Sequence, residues 1–256
     1  MEFIEVNGIK LAYEDLGPRE GVPLVCVHGW TADMHRWDHQ AEFFPATRRF
    51  IRFDLRGHGQ SDKPIMRYSI KQFSEDLKGL LDKLGIEKAI LAGHSMGGMT
   101  VQTFALDYPE RVEKLILVDT CGKFPFNALT RAGVATCSAL PFQFFVRTNI
   151  VRAFKPGFPK SKLEEFVRLS QSNPQPVVMS CFKEAMAEYD IMDRLPQIKA
   201  KTLVFHGYHD IQLTLDEGNK LAMLIPNATM KIVDSGHETP IEVPEQLTKA
   251  IAEFID

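Results

Sequence analysis

The sequence predicts an α/β fold in which helices cover a mostly parallel sheet, and three observations lead there. Short, nearly continuous apolar runs at Ala89–Ala92, Leu115–Val118 and Thr202–Phe205 suit strands buried on both faces. Stretches with apolar residues at three-to-four spacing alternate with these runs, as strand–helix–strand units require. A chain of 256 residues with 45% apolar side chains can bury one large core and still carry a modest insertion.

Four strand-like segments open the chain: Phe3–Val6, Ile9–Leu16, Leu24–Val27 and Phe50–Leu55. They are punctuated by the turn signals Asn7-Gly8, Gly17-Pro18 and Gly57. His35 and His39 fall between the third and fourth, in a loop or helix. Ile70, Phe73, Leu77, Leu80, Leu81 and Leu84 then mark one face of a helix that Gly85 ends. Met96–Tyr108, closed by Pro109, is the helix after Ala89–Ala92. Leu215–Leu224 is the helix after Thr202–Phe205, with Thr214 and Glu217 at capping-box spacing. Ala228–Val233 reads as a last strand, and Pro244 opens a terminal helix with Leu247, Ile251 and Phe254 inward.

Between Gly122 and Pro196 this rhythm breaks. Helical pieces separated by Pro141, Pro156-Gly157, Pro159, Pro174 and Pro176 replace the strands, and the segment holds nine of the eighteen phenylalanines. The expected organisation is therefore a core of residues 1–121 and 197–256 with a helical cap at 122–196.

The sharpest chemical signal is Gly93-His94-Ser95-Met96-Gly97, a G-x-S-x-G motif between a predicted strand and a predicted helix. A serine on so tight a turn needs strained backbone angles, and flanking glycines remove the side chains that would collide there. Gly98 allows close helix packing, and the N–H of Met96 is left free to face a substrate. A serine hydroxyl is a weak nucleophile at neutral pH and needs a base. His237, just after the last strand, is the best placed of the eight histidines. His28 and His206 end strands, His58 sits in a glycine turn, and the side chain of His94 should point away from the serine hydroxyl. An acid must orient that base. Asp210, after Thr202–Phe205, gives the chain order Ser, Asp, His; Asp119, at the end of Leu115–Val118, is its rival. A second donor for an oxyanion is expected at the N–H of Trp30, in the turn after Leu24–Val27.

Charge and composition narrow the field. A formal charge of −3 offers no footprint for nucleic acid, and no stretch approaches the ~18 apolar residues of a membrane span. Met1–Gly8 lacks a basic and an apolar targeting region. Cys26, Cys121, Cys137 and Cys181 form no CxxC, and Cys26 reads as a buried free thiol, so a cytoplasmic setting is expected. His35 with His39, and His206 with His209, lack the carboxylates of a zinc motif, so no metal site is expected.

Val27-His28-Gly29-Trp30, the Asp54–Asp62 segment, Gly93–Gly98, Phe205–Asp210 and Gly236-His237-Glu238-Thr239-Pro240 together resemble the ordered landmarks of the α/β-hydrolase superfamily. They are similar, more narrowly, to its capped esterase and enol-lactonase-like members, across nearly the whole chain except the cap. The resemblance implies an eight-stranded sheet with the cap inserted after the sixth strand. It also implies oxyanion donors at Trp30 and Met96, no metal or organic cofactor, and a structural role for Asp54–Asp62. Ile211-Gln212-Leu213-Thr214 departs from the pattern in lacking the proline often found after the acid.

From Gly122 to Leu163 the cap carries Lys123, Arg131, Arg147, Arg152, Lys155, Lys160 and Lys162 and no acidic residue. Phe124, Phe126, Phe142, Phe144, Phe145, Phe154 and Phe158 share that stretch. The charges are expected to be solvated and some of the rings to line a pocket. The expected activity is hydrolysis of a carboxylic ester or lactone of a small to medium apolar substrate through an acyl-enzyme. The alternatives are a carbon–carbon hydrolase or lyase with the same triad, and a low-turnover ligand receptor.

Overall fold

In the computed structural model, which describes residues 1–125 and 141–256, the apolar runs become the centre of one eight-stranded sheet. β1 (Glu2–Val6) and β2 (Ile9–Leu16) form a hairpin whose turn, Asn7-Gly8, has φ of +49° and +75°. β3 (Leu24–Val27), β4 (Phe50–Phe53), β5 (Ala89–His94), β6 (Val112–Val118), β7 (Lys201–Gly207) and β8 (Ala228–Val233) follow. The spatial order is β1-β2-β4-β3-β5-β6-β7-β8. β2 is antiparallel to both its neighbours, and every pairing from β4 to β8 is parallel. β4 ends short of the expected Leu55 because the N–H of Leu55 turns to Nε2 of His28, 3.0 Å away.

α1 (Asp38–Phe43) precedes β4 in the chain, and α2 (Ile70–Lys83) buries Ile70, Phe73, Leu77, Leu80 and Leu81. Ser69 caps α2 by accepting the N–H of Gln72, and Gly85, at φ +65°, lets the chain leave it. α3 (Met96–Asp107) is buried from Met96 through Ala105, so it lacks the polar face of an ordinary surface helix.

Between β6 and β7 lie α4 (Phe142–Ala153), α5 (Lys160–Gln171) and α6 (Gln175–Ser180), which runs on into a π turn at Cys181–Met186. α7 (Leu215–Leu224), α8 (Thr239–Glu242) and α9 (Pro244–Ile255) complete the chain. The expected capping box at α7 does not form. The Glu217 carboxylate is drawn to the ammonium of Lys220, 2.7 Å away, and the Thr214 side chain caps nothing.

One core joins the sheet to α2 and α3, and a second joins its other face to Trp37, Phe44 and the inner side of α9. Phe145, Val146, Ile150, Phe154, Val167 and Val178 form a third, smaller core within the inserted helices, and Trp30 and Ile241 pack against it. Among the described residues, no helix is long and apolar enough to cross a membrane.

Candidate active site

Parallel strands release their chains at one sheet edge, where an α/β protein gathers its reactive groups. β5 delivers Ser95 there at φ +52° and ψ −118°, a conformation an L-residue adopts only under constraint. Its N–H donates to the carbonyl of Val118 (3.0 Å), and its carbonyl accepts from the Thr120 hydroxyl (2.8 Å). The flanking glycines are obligatory: a Cβ on Gly93 would sit 2.4 Å from the Gly97 carbonyl oxygen, and one on Gly97 would sit 2.3 Å from that of Val27.

β8 delivers His237, whose Nε2 lies 2.9 Å from Ser95 Oγ. Its Nδ1 lies 2.6 Å from Oδ2 of Asp210, beyond the end of β7. The other carboxylate oxygen, Oδ1, accepts the N–H groups of Gln212 (2.8 Å) and Leu213 (3.0 Å), which fixes the plane of the acid. Burial works against the imidazolium, but the adjacent Asp210 charge and hydrogen bond, helped by Asp119 and Glu238, raise the pKa of His237 to about 9.

Asp119 stands nearby without bonding His237. It is fully buried, and its oxygens accept the N–H groups of Gly207 (2.8 Å) and Thr239 (3.3 Å). Burial first, and then the charge of Asp210, hold its carboxyl well above the usual carboxylate range. His94 points away from the Ser95 hydroxyl and bonds the carbonyl of His237 through Nε2 (2.8 Å). Burial and the neighbouring His237 keep His94 far below the ordinary histidine value, so its Nε2–H is a neutral tether for the loop that carries His237. Sequence reading gave His94 no such part; its place beside the nucleophile was the only available signal.

Trp30 and Met96 border the same edge. Met96 is the first residue of α3, where a helix leaves its N–H groups without intrahelical acceptors. Among the described residues, no hydrogen-bond acceptor takes the N–H of either Trp30 or Met96. The Trp30 indole donates to the carbonyl of Val178 (3.0 Å) and packs on Phe145 and Phe182. The inserted helices also grip the His237 loop directly. The N–H of His237 donates to the carbonyl of Ala153 (2.6 Å), and the carboxylate of Glu242 bridges the N–H groups of Gly236 and Lys155.

A cavity of about 20 Å³ borders Ser95 and His237. Trp30, Ile150 and Ala153 give it apolar wall, while Arg36, Asn149, Gln212 and Glu238 make the rest polar. Arg36 lies in no motif, and Glu238 is marked only by its place beside His237 in the Gly236–Pro240 segment. Three basic residues of the insertion are engaged at the surface: Lys123 with Asp190, Arg147 with Glu164 and Lys155 with Asp234. Phe154 packs against the rings of Phe158 and Phe166 inside the insertion, tilted by 30° and 31°. Phe126, Arg131 and Cys137 lie outside the described residues.

One cluster brings two carboxylates beside His206 without forming the zinc motif whose absence the sequence showed. Asp119, His206 and Asp210 offer ligating atoms within 4.8 Å of one another, because β6 and β7 end side by side. Those atoms are already used: His206 Nε2 bonds the carbonyl of Leu213 (2.8 Å), and the carboxylates hold main-chain N–H groups and His237. Asp54 acts as the sequence suggested, accepting the N–H groups of Met34 and Gln60 at 2.7 Å each, with its carboxyl raised by burial to about 6.

Comparison with known proteins agrees with this architecture. The chain is 29% identical over 254 residues to 3-oxoadipate enol-lactonase 2 of Acinetobacter baylyi, covering 98% of this chain and 94% of that one. It is 39% identical over 265 residues to a putative 2-succinyl-6-hydroxy-2,4-cyclohexadiene-1-carboxylate synthase of Bacillus subtilis, covering 97% and 96%. The solved structure of the enol-lactonase from Burkholderia xenovorans LB400 superposes with a TM-score of 0.91 at 27% identity, over 99% of both chains. The family profile for the alpha/beta hydrolase fold matches residues 22–244, and the chain therefore belongs to that family.

Proposed function

We propose that this protein is a serine hydrolase that cleaves a carboxylic ester or lactone of small to medium size through an acyl-enzyme. The observation that carries this reading is the unbroken line from Ser95 Oγ to His237 to Asp210, with contacts of 2.9 and 2.6 Å, on a strained turn between β5 and α3. In this reading Ser95 Oγ attacks the carbonyl carbon while its proton passes to His237 Nε2. The N–H groups of Trp30 and Met96 take the oxyanion. His237 returns the proton to the departing alkoxide, then accepts one from the water that cleaves the acyl-enzyme. Asp210 keeps the other ring proton on Nδ1 and offsets the charge of the imidazolium.

Residues 122–196 act as the cap over this site in the proposal, supported by the contacts of Trp30 and His237 with the inserted helices. The enol-lactonase relative supports the lactone branch. The 39% identity to the putative synthase favours one second reading, a carbon–carbon hydrolase or lyase that uses the same residues. The buried free thiols Cys26, Cys121 and Cys181 support a cytoplasmic setting.

A panel of esters, lactones, amides and vinylogous diketones, run with wild type and Ser95→Ala, tests the proposal. Ester or lactone turnover that disappears in Ser95→Ala, together with fluorophosphonate labelling of wild type alone, is expected. Turnover of diketones without esters or lactones selects the second reading. An unlabelled Ser95 with no turnover refutes both.

A further inference from the structure

The cavity beside Ser95 contains a charged pair that the proposed chemistry does not use. Arg36 is 3% exposed and Glu238 is 5% exposed, and both line the cavity. Their charges touch, with Nη1 and Oε2 3.0 Å apart, and the Arg36 guanidinium lies over the Phe166 ring, 4.8 Å from its centre. The contact is out of line, however. Among the described residues, Arg36 Nε and Nη1 and Glu238 Oε2 have no aligned hydrogen-bond partner.

Buried polar atoms without partners are costly, so a pair held in this state beside a nucleophile calls for a ligand that completes it. A hydrocarbon chain would leave all three atoms unsatisfied. A carboxylate would suit Arg36 but would meet the Glu238 carboxylate at the same place. A hydroxyl suits both, since it accepts from the guanidinium and donates to the carboxylate. The cavity of about 20 Å³ has the size of a single water-sized group. Because this small cavity also borders Ser95 and His237, the substituent that fills it sits close to the carbonyl that Ser95 would attack.

We infer that Arg36 and Glu238 form a hydroxyl-recognising subsite, and that the substrate is an ester or lactone of an α- or β-hydroxy acid. This inference rests on the serine-hydrolase reading. In the Michaelis complex the substrate hydroxyl accepts from Arg36 and donates to Oε2 of Glu238, orienting the scissile carbonyl toward Ser95.

The test compares kcat/KM for ethyl 3-hydroxybutanoate, ethyl butanoate and monoethyl succinate, with α-hydroxy-γ-butyrolactone against γ-butyrolactone as the lactone pair. Wild type is expected to favour the hydroxylated member of each pair by about tenfold or more and to disfavour the succinate ester. Arg36→Met should bring the hydroxyl preference to about unity. Glu238→Gln should raise the succinate ester relative to the butanoate, a change that a merely structural pair would not produce. Should Arg36→Met fail to fold, the wild-type ratios and the Glu238→Gln comparison decide alone. Equal rates for hydroxylated and plain substrates in wild type, with Ser95 still labelled by fluorophosphonate, overturn the subsite and leave the hydrolase reading standing. So does a hydroxyl preference that survives in both variants. Loss of labelling and of all turnover in wild type overturns the hydrolase reading, and the subsite with it.

Discussion

Replacing Asp210 with Asn removes one charge from the far end of the Ser95–His237–Asp210 line while keeping its shape. Burial opposes a cation at His237, yet the ring is held at about 9 against an ordinary 6.5, with Asp210 the largest favourable influence. At about 1.4 kcal/mol per pH unit, that net rise is worth roughly 3 kcal/mol of imidazolium stabilisation, or ~100-fold in rate if it is all expressed in the transition state. A further loss comes from hydrogen-bond direction. Oδ1 of residue 210 must still accept the N–H groups of Gln212 and Leu213, so the Asn amide nitrogen would take the place of Oδ2 opposite Nδ1. That nitrogen donates and cannot accept, which drives the ring proton to Nε2, where the imidazole can no longer take a proton from Ser95. Together the two losses lead to a fall in kcat of about 10³- to 10⁴-fold in a folded protein.

The pH profile supplies an independent readout. His237 must be neutral to act as base, so kcat/KM of wild type should rise with pH toward a limb near 9. Losing the Asp210 charge leaves burial less opposed, and the limb should move to lower pH in Asp210→Asn. Asp119→Asn should behave differently. Both its oxygens hold main-chain N–H groups, and an amide would force a donor against one of them. A stability loss of about 1–3 kcal/mol with kcat largely kept is expected. The assay is kcat/KM against pH for wild type and both variants, with urea unfolding of each. Near-wild-type turnover in Asp210→Asn beside a collapse in Asp119→Asn would refute the reasoning and move the orienting role to Asp119.

Three further outcomes follow from contacts elsewhere. Gly97→Ala puts a Cβ 2.3 Å from the Val27 carbonyl oxygen, so the β3–α3 contact must open; a loss of about 3 kcal/mol in urea unfolding, with turnover lost too, is expected. Glu242→Ala leaves the N–H groups of Gly236 and Lys155 without their acceptor, which should lower thermal stability by about 1–3 kcal/mol and speed hydrogen exchange at both amides. Lys114 donates to the carbonyls of Phe254 and Ile255 at the end of α9, so Lys114→Met should cost about 1–2 kcal/mol in unfolding free energy and leave kcat unchanged.

How much of this was legible in the sequence depended on how local the cause was. The turn at Ser95 requires glycine on either side within four residues, so a short pattern records it. The central strands announce themselves because the stretches Ala89–Ala92 and Leu115–Val118 are buried on both faces and therefore apolar throughout. The capping box at Thr214 was equally local in appearance, but Lys220, one turn along, takes the carboxylate that the pattern assigned to the cap. The pairing of Arg36 with Glu238 left no trace, since a buried ion pair between residues distant in sequence has no spacing rule.

The two candidate acids show where pattern stops and packing decides. Asp119 and Asp210 both leave the C-terminal ends of neighbouring parallel strands, and no composition rule separates them. Their different surroundings do. Gly207, at the end of β7, and Thr239, at the start of α8, each turn an N–H toward Asp119, and those two bonds fasten the start of the segment carrying Asp210 and the end of the one carrying His237. Asp210 is left with one oxygen held by its own loop and the other aimed at Nδ1. Burial drives the Asp119 carboxyl up and the nearby Asp210 charge adds to the rise, while the imidazole of His237 gains from the charge of Asp210 and, to a lesser degree, of Asp119. Asp119 is thus a positioning residue. Its removal should cost stability at the two segments it fastens while largely keeping kcat, whereas removal of Asp210 should leave those segments in place and silence the base.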